Sequence, residues 1–253
     1  VKSDKPGTDQ LPLKSTSADV TIAGVIADVI VKQVYENTGK NALEAIYVFP
    51  GSSRAAVYGM TMKIGNRTLT AEIKERDQAR KEYEAAKSEG KTASLLEQQR
   101  PNVFQMNVAN ILPGDRIEVE MRYTELLEPV DGKYEFVYPT VVGPRYTGGM
   151  DANDDHNSFT NTPYLGKGEE HNWTFDLNVY LDAGMAIQEV ISPSHKVDLG
   201  WEGTKAVNIA LNPSETKAGN KDFILDYRLA GGKIQSGVLL YEHGDENFFV
   251  AMV

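Results

Sequence analysis

The chain has 253 residues, with 26 Lys plus Arg against 36 Asp plus Glu for a formal net charge of −10, and is 41% hydrophobic and 25% charged. That is the composition of a folded protein with one large or two modest domains, and its acidity disfavours phosphate backbones as partners. Cysteine is absent, which excludes disulfides, thiolate nucleophiles, zinc knuckles and iron–sulfur clusters and leaves any metal to His or oxygen ligands.

No apolar run approaches the ~20 residues of a membrane helix, and Val1 to Gly7 lacks a signal-peptide core, so no membrane insertion is expected. Residues 1–17 are polar, contain Pro6, Gly7 and Pro12, and read as a tail or linker. From Val20 to Tyr35 Val and Ile fall on both phases, as in a strand covered on two sides or a long strand bent at Gly24. Leu43 to Phe49 is a second strand, stopped by Pro50-Gly51.

Alternation over residues 57–73, broken at Gly65-Asn66, predicts a β-hairpin. The period then changes. Glu75 to about Glu89 is rich in helix formers, puts Ala79, Tyr83 and Ala86 on one stripe, spaces Asp77 four residues before Lys81, and is followed by Gly90. Strands resume at Phe104, Met106 and Val108, then at Ile117, Val119, Met121 and Tyr123 after the Pro113-Gly114 turn, then at Tyr134, Phe136 and Tyr138 after Asp131-Gly132.

Residues 147–170 are polar, glycine-rich and aperiodic, a linker or long loop. Beyond it, Trp173 to Leu181, Val207 to Leu211 and Phe223 to Leu229 alternate, Gly231-Gly232 turns, and Val238 to Tyr241 and Phe248 to Val253 read as strands. The expected fold is all-β, a mainly antiparallel β-sandwich with one α-helix at about 75–89 and a second, smaller β-sandwich-like region over 171–253.

Chemistry-bearing patterns are few. Gly90-Lys91-Thr92 lacks the upstream glycine of a phosphate loop and follows its helix instead of preceding it. Asp151, Asn153 and Asp155 have calcium-loop spacing and form the one metal candidate, but His156 stands where the loop needs Gly and Thr162 where it needs Glu. His156, His171, His195 and His243 are scattered and read as surface residues. Glu97, Glu118, Glu120 and Glu125 offer carboxylates for glycoside chemistry, although Glu alternating with Arg more commonly marks a solvated sheet face.

Tyr35, Tyr47, Tyr58, Tyr123, Tyr134 and Tyr138 suit either core filling or partner contact. Asn66-Arg67-Thr68 and Asn172-Trp173-Thr174 are glycosylation sequons of no deciding weight. No catalytic residue and no cofactor is expected.

The segments ALEAIYVFP (42–50), AAVYGMTMKIGNRTLTAEI (55–73), the helix ERDQARKEYEAAKSEGKTASLLEQ (75–98), PNVFQMNVANILPGDRIEVEMRYTELL (101–127) and YEFVYPTVVGPRY (134–146) resemble the VIT domain, the module of vault proteins and inter-alpha-trypsin inhibitor heavy chains. The resemblance places that domain at 18–146 and implies an all-β module crossed by one helix. It further implies that residues 171–253 are similar to the β region preceding a von Willebrand factor A domain, with Asn247 to Val253 resembling the strand that leads to the A-domain metal site. The function so implied is a non-catalytic, protein-binding scaffold of a bacterial surface or secreted protein, with an adjacent A domain and an unidentified protein as partners. A carbohydrate-active enzyme and a calcium-stabilised adhesion module are the alternatives.

Overall fold

The computed structural model describes residues 13–50, 54–65, 67–70, 81, 82, 84–86, 88, 89, 93–100, 103–140, 173–230, 237–243 and 246–252. Its elements are β1 (Leu13–Ala23), β2 (Ile26–Glu36), β3 (Leu43–Pro50), β4 (Ala56–Ile64), β5 (Arg67–Thr70), β6 (Ala93–Arg100), β7 (Val103–Ile111), β8 (Arg116–Leu126), β9 (Lys133–Tyr138), β10 (Thr174–Asp182), β11 (Ile187–Ile191), β12 (Val197–Glu202), β13 (Ala206–Leu211), β14 (Phe223–Leu229), β15 (Gly237–His243) and β16 (Glu246–Met252). An eight-stranded sheet has the order β12-β13-β10-β1-β2-β8-β4-β5. Three smaller sheets are β11-β14-β9, β3-β7-β6 and the β15-β16 hairpin.

The Val- and Ile-rich stretch at 20–35 is two strands, not one bent strand. Gly24, at φ 59, opens a two-residue turn that pairs Ala23 with Ile26 and Val20 with Val29. Side chains directly opposite in an antiparallel pair share a face, and this register sets even positions of β1 against odd positions of β2. Ala18, Val20 and Ile22 therefore bury beside Ala27, Val29 and Val31. What resembled a strand apolar on both sides is a one-sided hairpin whose phase flips at the turn.

The predicted hairpin is present as β4 and β5, with Gly65 at φ 57 and Ile64 opposite Arg67; its last residues, 71–73, lie outside the described ones. Asp131 and Gly132, at φ 53 and 72, make the second tight turn, closed by Val130 and Lys133 bonding in both directions at 2.9 and 3.0 Å. Two successive positive φ values are the type I′ signature that Asp-Gly favours.

Helical residues occur at 81, 82, 84–86 and 88, where Glu89 N–H donates to the Ala85 carbonyl at 3.1 Å. Asp77, Ala79, Tyr83 and Gly90 lie outside the described residues. Ala93–Arg100 is strand β6, so the 75–98 segment holds a strand as well as helix.

Strand β1 starts at Leu13, inside the stretch read as tail, because its polar start is held by the backbone ladder: Ser15 and Thr16 pair with Val34 and Gln33 on one side and with Thr174 and Phe175 on the other. The β1–β10 pairing is parallel, the exception in a sheet otherwise antiparallel. Through it the regions at 18–146 and 171–253 share one sheet. They share one core as well, since β9 pairs with β14 and the buried cluster joins Val20, Val29 and Tyr123 to Phe136, Tyr138, Phe175, Leu177, Val207, Phe223, Leu225 and Tyr227. The second region is thus built into the same sandwich. The Tyr138 and Phe175 rings, one from each region, stack at 6.1 Å.

Candidate functional site

Asp151, Asn153, Asp155, His156, His171, Gly90-Lys91-Thr92 and both sequon asparagines lie outside the described residues. Among the described residues no group of three or more His, Asp or Glu is placed to hold a metal ion. Of the carboxylates weighed for catalysis, the Glu97 side chain lies outside the described ones, and Glu118 and Glu120 lie on the opposite face of β8 from Glu125. Glu120 meets Arg122 at 2.7 Å and Lys32 at 3.8 Å, and Glu118 meets Lys63 at 3.5 Å. Lys32–Glu120 and Lys63–Glu118 are directly opposed cross-strand pairs, as a solvated sheet face arranges them.

Glu125 departs from that face. It continues the inward phase of Ile117, Val119, Met121 and Tyr123 and is 5% exposed. Arg54 reaches it at 3.7 Å and Glu128 at 3.5 Å, so the guanidinium offsets part of the cost of a carboxylate beside the core. Burial pushes the Tyr123 phenol well up, and the nearby Tyr138 and Glu125 add to the shift.

His195 is buried at 5% exposure rather than on the surface. Its ring lies between Phe175 and Phe223, at 5.9 and 5.6 Å. Nε2 is 3.1 Å from the Ala218 carbonyl, which only accepts, so Nε2 carries the proton; Nδ1, 2.9 Å from Ser194 Oγ, then accepts from that hydroxyl. Ser194 Oγ in turn accepts from Ile224 N–H at 2.8 Å. Desolvation lowers the imidazole pKa, the Ala218 carbonyl opposes it, Lys221 lowers it further and Glu215 raises it. Both ring nitrogens are engaged in holding the 192–195 turn, which makes this His–Ser contact a structural pin and not a base–nucleophile pair.

A feature open to a partner is β12, an outermost strand of the large sheet, paired among the described residues with β13 alone. Asn212 N–H donates to the Lys196 carbonyl at 3.0 Å, while Ala183 N–H donates to Lys205 across β10 and β13 at 3.1 Å. Directly opposed residues exchange both bonds at every second position. Odd positions of β13 therefore bond β10, and even positions bond Asp198, Gly200 and Glu202. By the same alternation the N–H and C=O groups of Val197, Leu199 and Trp201 point away from the sheet.

These three residues also carry the strand's apolar side chains. They stand opposite Leu211, Ile209 and Val207 on the core face; Val197 packs against the core, whereas Leu199 and Trp201 remain 39% and 48% exposed. The opposite face holds two carboxylates. Asp198 accepts from the Asn212 amide at 3.1 Å and Glu202 from the Asn208 amide at 2.7 Å. Neither meets a cation among the described residues. Val197-Asp198-Leu199-Gly200-Trp201-Glu202 alternates in the sequence, a weak strand signal because one Gly and two acids break up the short run.

The family model described as "Vault protein inter-alpha-trypsin domain" matches residues 13–123. This chain carries a VIT domain. Similar proteins are von Willebrand factor A domain-containing protein 5A of Homo sapiens, 39% identical over 141 residues that cover 54% of this chain and 18% of that protein; protein mono-ADP-ribosyltransferase PARP4 of Mus musculus, 34% identical over 134 residues, 53% of this chain and 7% of that protein; and inter-alpha-trypsin inhibitor heavy chain H3 of Bos taurus, 29% identical over 137 residues, 53% and 15%. The chain thus spans less than a fifth of the length of each. The VIT match ends within β8, so β9 to β16, the β12 edge among them, lie beyond it.

Proposed function

We propose that this chain is a non-catalytic protein-interaction scaffold in a bacterial surface or secreted protein, where its VIT domain sits near an A domain and the sandwich contacts a protein partner. The observation that carries the reading is the β12 edge: outward backbone groups on Val197, Leu199 and Trp201 and exposed apolar side chains on the last two, presented by a sheet that runs through the VIT domain and the region after it. The name of the 5A relative supports an A-domain neighbour. The enzyme alternative draws nothing from Glu118 and Glu120, which are held in ion pairs.

The test uses the full-length protein in intact host cells, with a photo-crosslinking phenylalanine analogue replacing Trp201 and, as control, Thr21 on the opposite face of the sheet. Adducts to one protein from position 201, absent at position 21 and confirmed as a complex with purified components, are expected. No adduct at 201, adducts at both positions alike, or a substrate turnover abolished by a single Glu or His substitution overturns the reading.

A further inference from the structure

We propose that the β12 edge takes up an extended, basic segment of a partner protein as an added strand, in the pattern basic–apolar–any–apolar–basic. The proposal rests on the interaction reading above and specifies its chemistry.

Three features of one six-residue strand define the occupant. The outward N–H and C=O groups of Val197, Leu199 and Trp201 recur every second residue, the template an added strand needs. A residue directly opposite another in a sheet lies on the same face. Partner positions facing Leu199 and Trp201 therefore lie on the core face, where an apolar side chain covers the exposed ledge. Partner positions facing Asp198 and Glu202 lie on the other face, where two carboxylates bonded to neutral amides favour Lys or Arg. The Gly200 position between them has no side chain and sets no requirement. The pattern reads the same in both directions, so parallel and antiparallel addition demand the same five residues.

A second copy of this chain is a poor occupant in the register centred on Gly200. Two-fold pairing of β12 about Gly200 puts Asp198 opposite Glu202 of the second copy, and like charges directly opposed destabilise a ladder. The net charge of −10 also repels a copy while drawing in a basic segment.

The probe is an eleven-residue synthetic peptide centred on Lys-Val-Thr-Val-Lys, compared with its Glu-Val-Thr-Val-Glu counterpart and with a scramble of its own residues, each titrated into the intact chain. The Lys peptide is expected to bind about tenfold more tightly than the Glu peptide, from the reversal of two cross-strand charge pairs. The double variant Asp198→Lys/Glu202→Lys is expected to invert that order. Leu199→Pro removes one outward N–H while the β13 ladder persists; it should weaken the Lys peptide severalfold, and Leu199→Val, which keeps the N–H, should not.

Equal binding of the Lys and Glu peptides, an unaltered order in the double variant, or a scramble as tight as the Lys peptide overturns the proposal. If the peptides fail while position 201 still cross-links a partner that forms a purified complex, the basic-strand chemistry is wrong and the interaction reading stands. If both fail, both are wrong.

Discussion

The Tyr227 hydroxyl donates to the Gly24 carbonyl at 3.2 Å, across 203 residues of chain. It fastens the small sheet to the turn of the first hairpin of the VIT domain, and its ring stacks on Tyr134 at 4.9 Å with an 8° interplanar angle. Tyr227→Phe keeps the ring and orphans a buried carbonyl, so a loss of about 1–2 kcal/mol is expected; Tyr227→Ala, which also opens a cavity, should cost about 3–5 kcal/mol. Urea unfolding followed by circular dichroism reads both.

Alkaline pH should act on the same region. Burial raises the Tyr227 and Tyr123 phenols above their ordinary value of 10.0. For a raised group, stability is complete below the unfolded pKa and drains away as pH climbs from there toward the folded pKa. The chain should lose stability above about pH 10, and Tyr227→Phe should reduce that slope. An unchanged slope in the variant would remove Tyr227 from the account.

His195 predicts the acid side. Its pKa lies below 6.5 in the folded chain, chiefly through desolvation, so the unfolded state binds the proton first. The stabilisation is present above about pH 6.5 and is lost as pH falls toward the folded pKa. Melting curves from pH 7.5 downward should show His195→Phe, a ring fit to lie between Phe175 and Phe223, with a shallower acid slope than the native chain.

Asn37, 1% exposed, closes another long loop. Its amide donates to the carbonyls of Asn41 and Ile111 at 3.0 and 3.1 Å, and its side-chain oxygen accepts from Gly39 N–H at 2.9 Å. Its backbone meets the Pro113-Gly114 turn through Asp115 and Gly114, both at 2.9 Å. Asn37→Ala leaves these groups unpaired and should cost about 2–3 kcal/mol. Asn37→Asp, which cannot donate, should recover little of it; urea midpoints decide.

Gly219 is a packing requirement: a Cβ there would fall 2.1 Å from the Trp173 ring. Gly219→Ala must displace the indole, at a cost of about 1–3 kcal/mol. A shift of the tryptophan emission that Trp173→Phe abolishes would confirm the cause.

Local pattern was legible wherever burial alternates within one strand. The β8 period, the Asp131-Gly132 turn and the Gly65-Asn66 hairpin all appear in the chain because side-chain direction and turn chemistry are local properties. The β1/β2 phase flip was legible too, but two-residue turns without Asn-Gly or Asp-Gly are easily read through, and Gly24-Val25 is one. The parallel β1–β10 pairing was not legible, since no residue records which distant strand lies beside it. Glu125 was hidden by type: its inward phase is plain in β8, yet an acid is read as outward until Arg54 is found beside it. His195 was hidden likewise, because its partners, Phe175 on one side and the Ala218 carbonyl and Phe223 on the other, come from two distant stretches of the chain.

The most direct test of the claim that β12 is an unsatisfied, partner-seeking edge is residue-resolved amide hydrogen exchange on the intact chain, free and with the Lys peptide bound. The account predicts rapid exchange at Val197, Leu199 and Trp201 beside slow exchange at Asp198 and Gly200 in the free chain, with the fast set slowed on binding. Uniform protection along 197–202 in the free chain, or fast amides that stay fast when the peptide is bound, would contradict it.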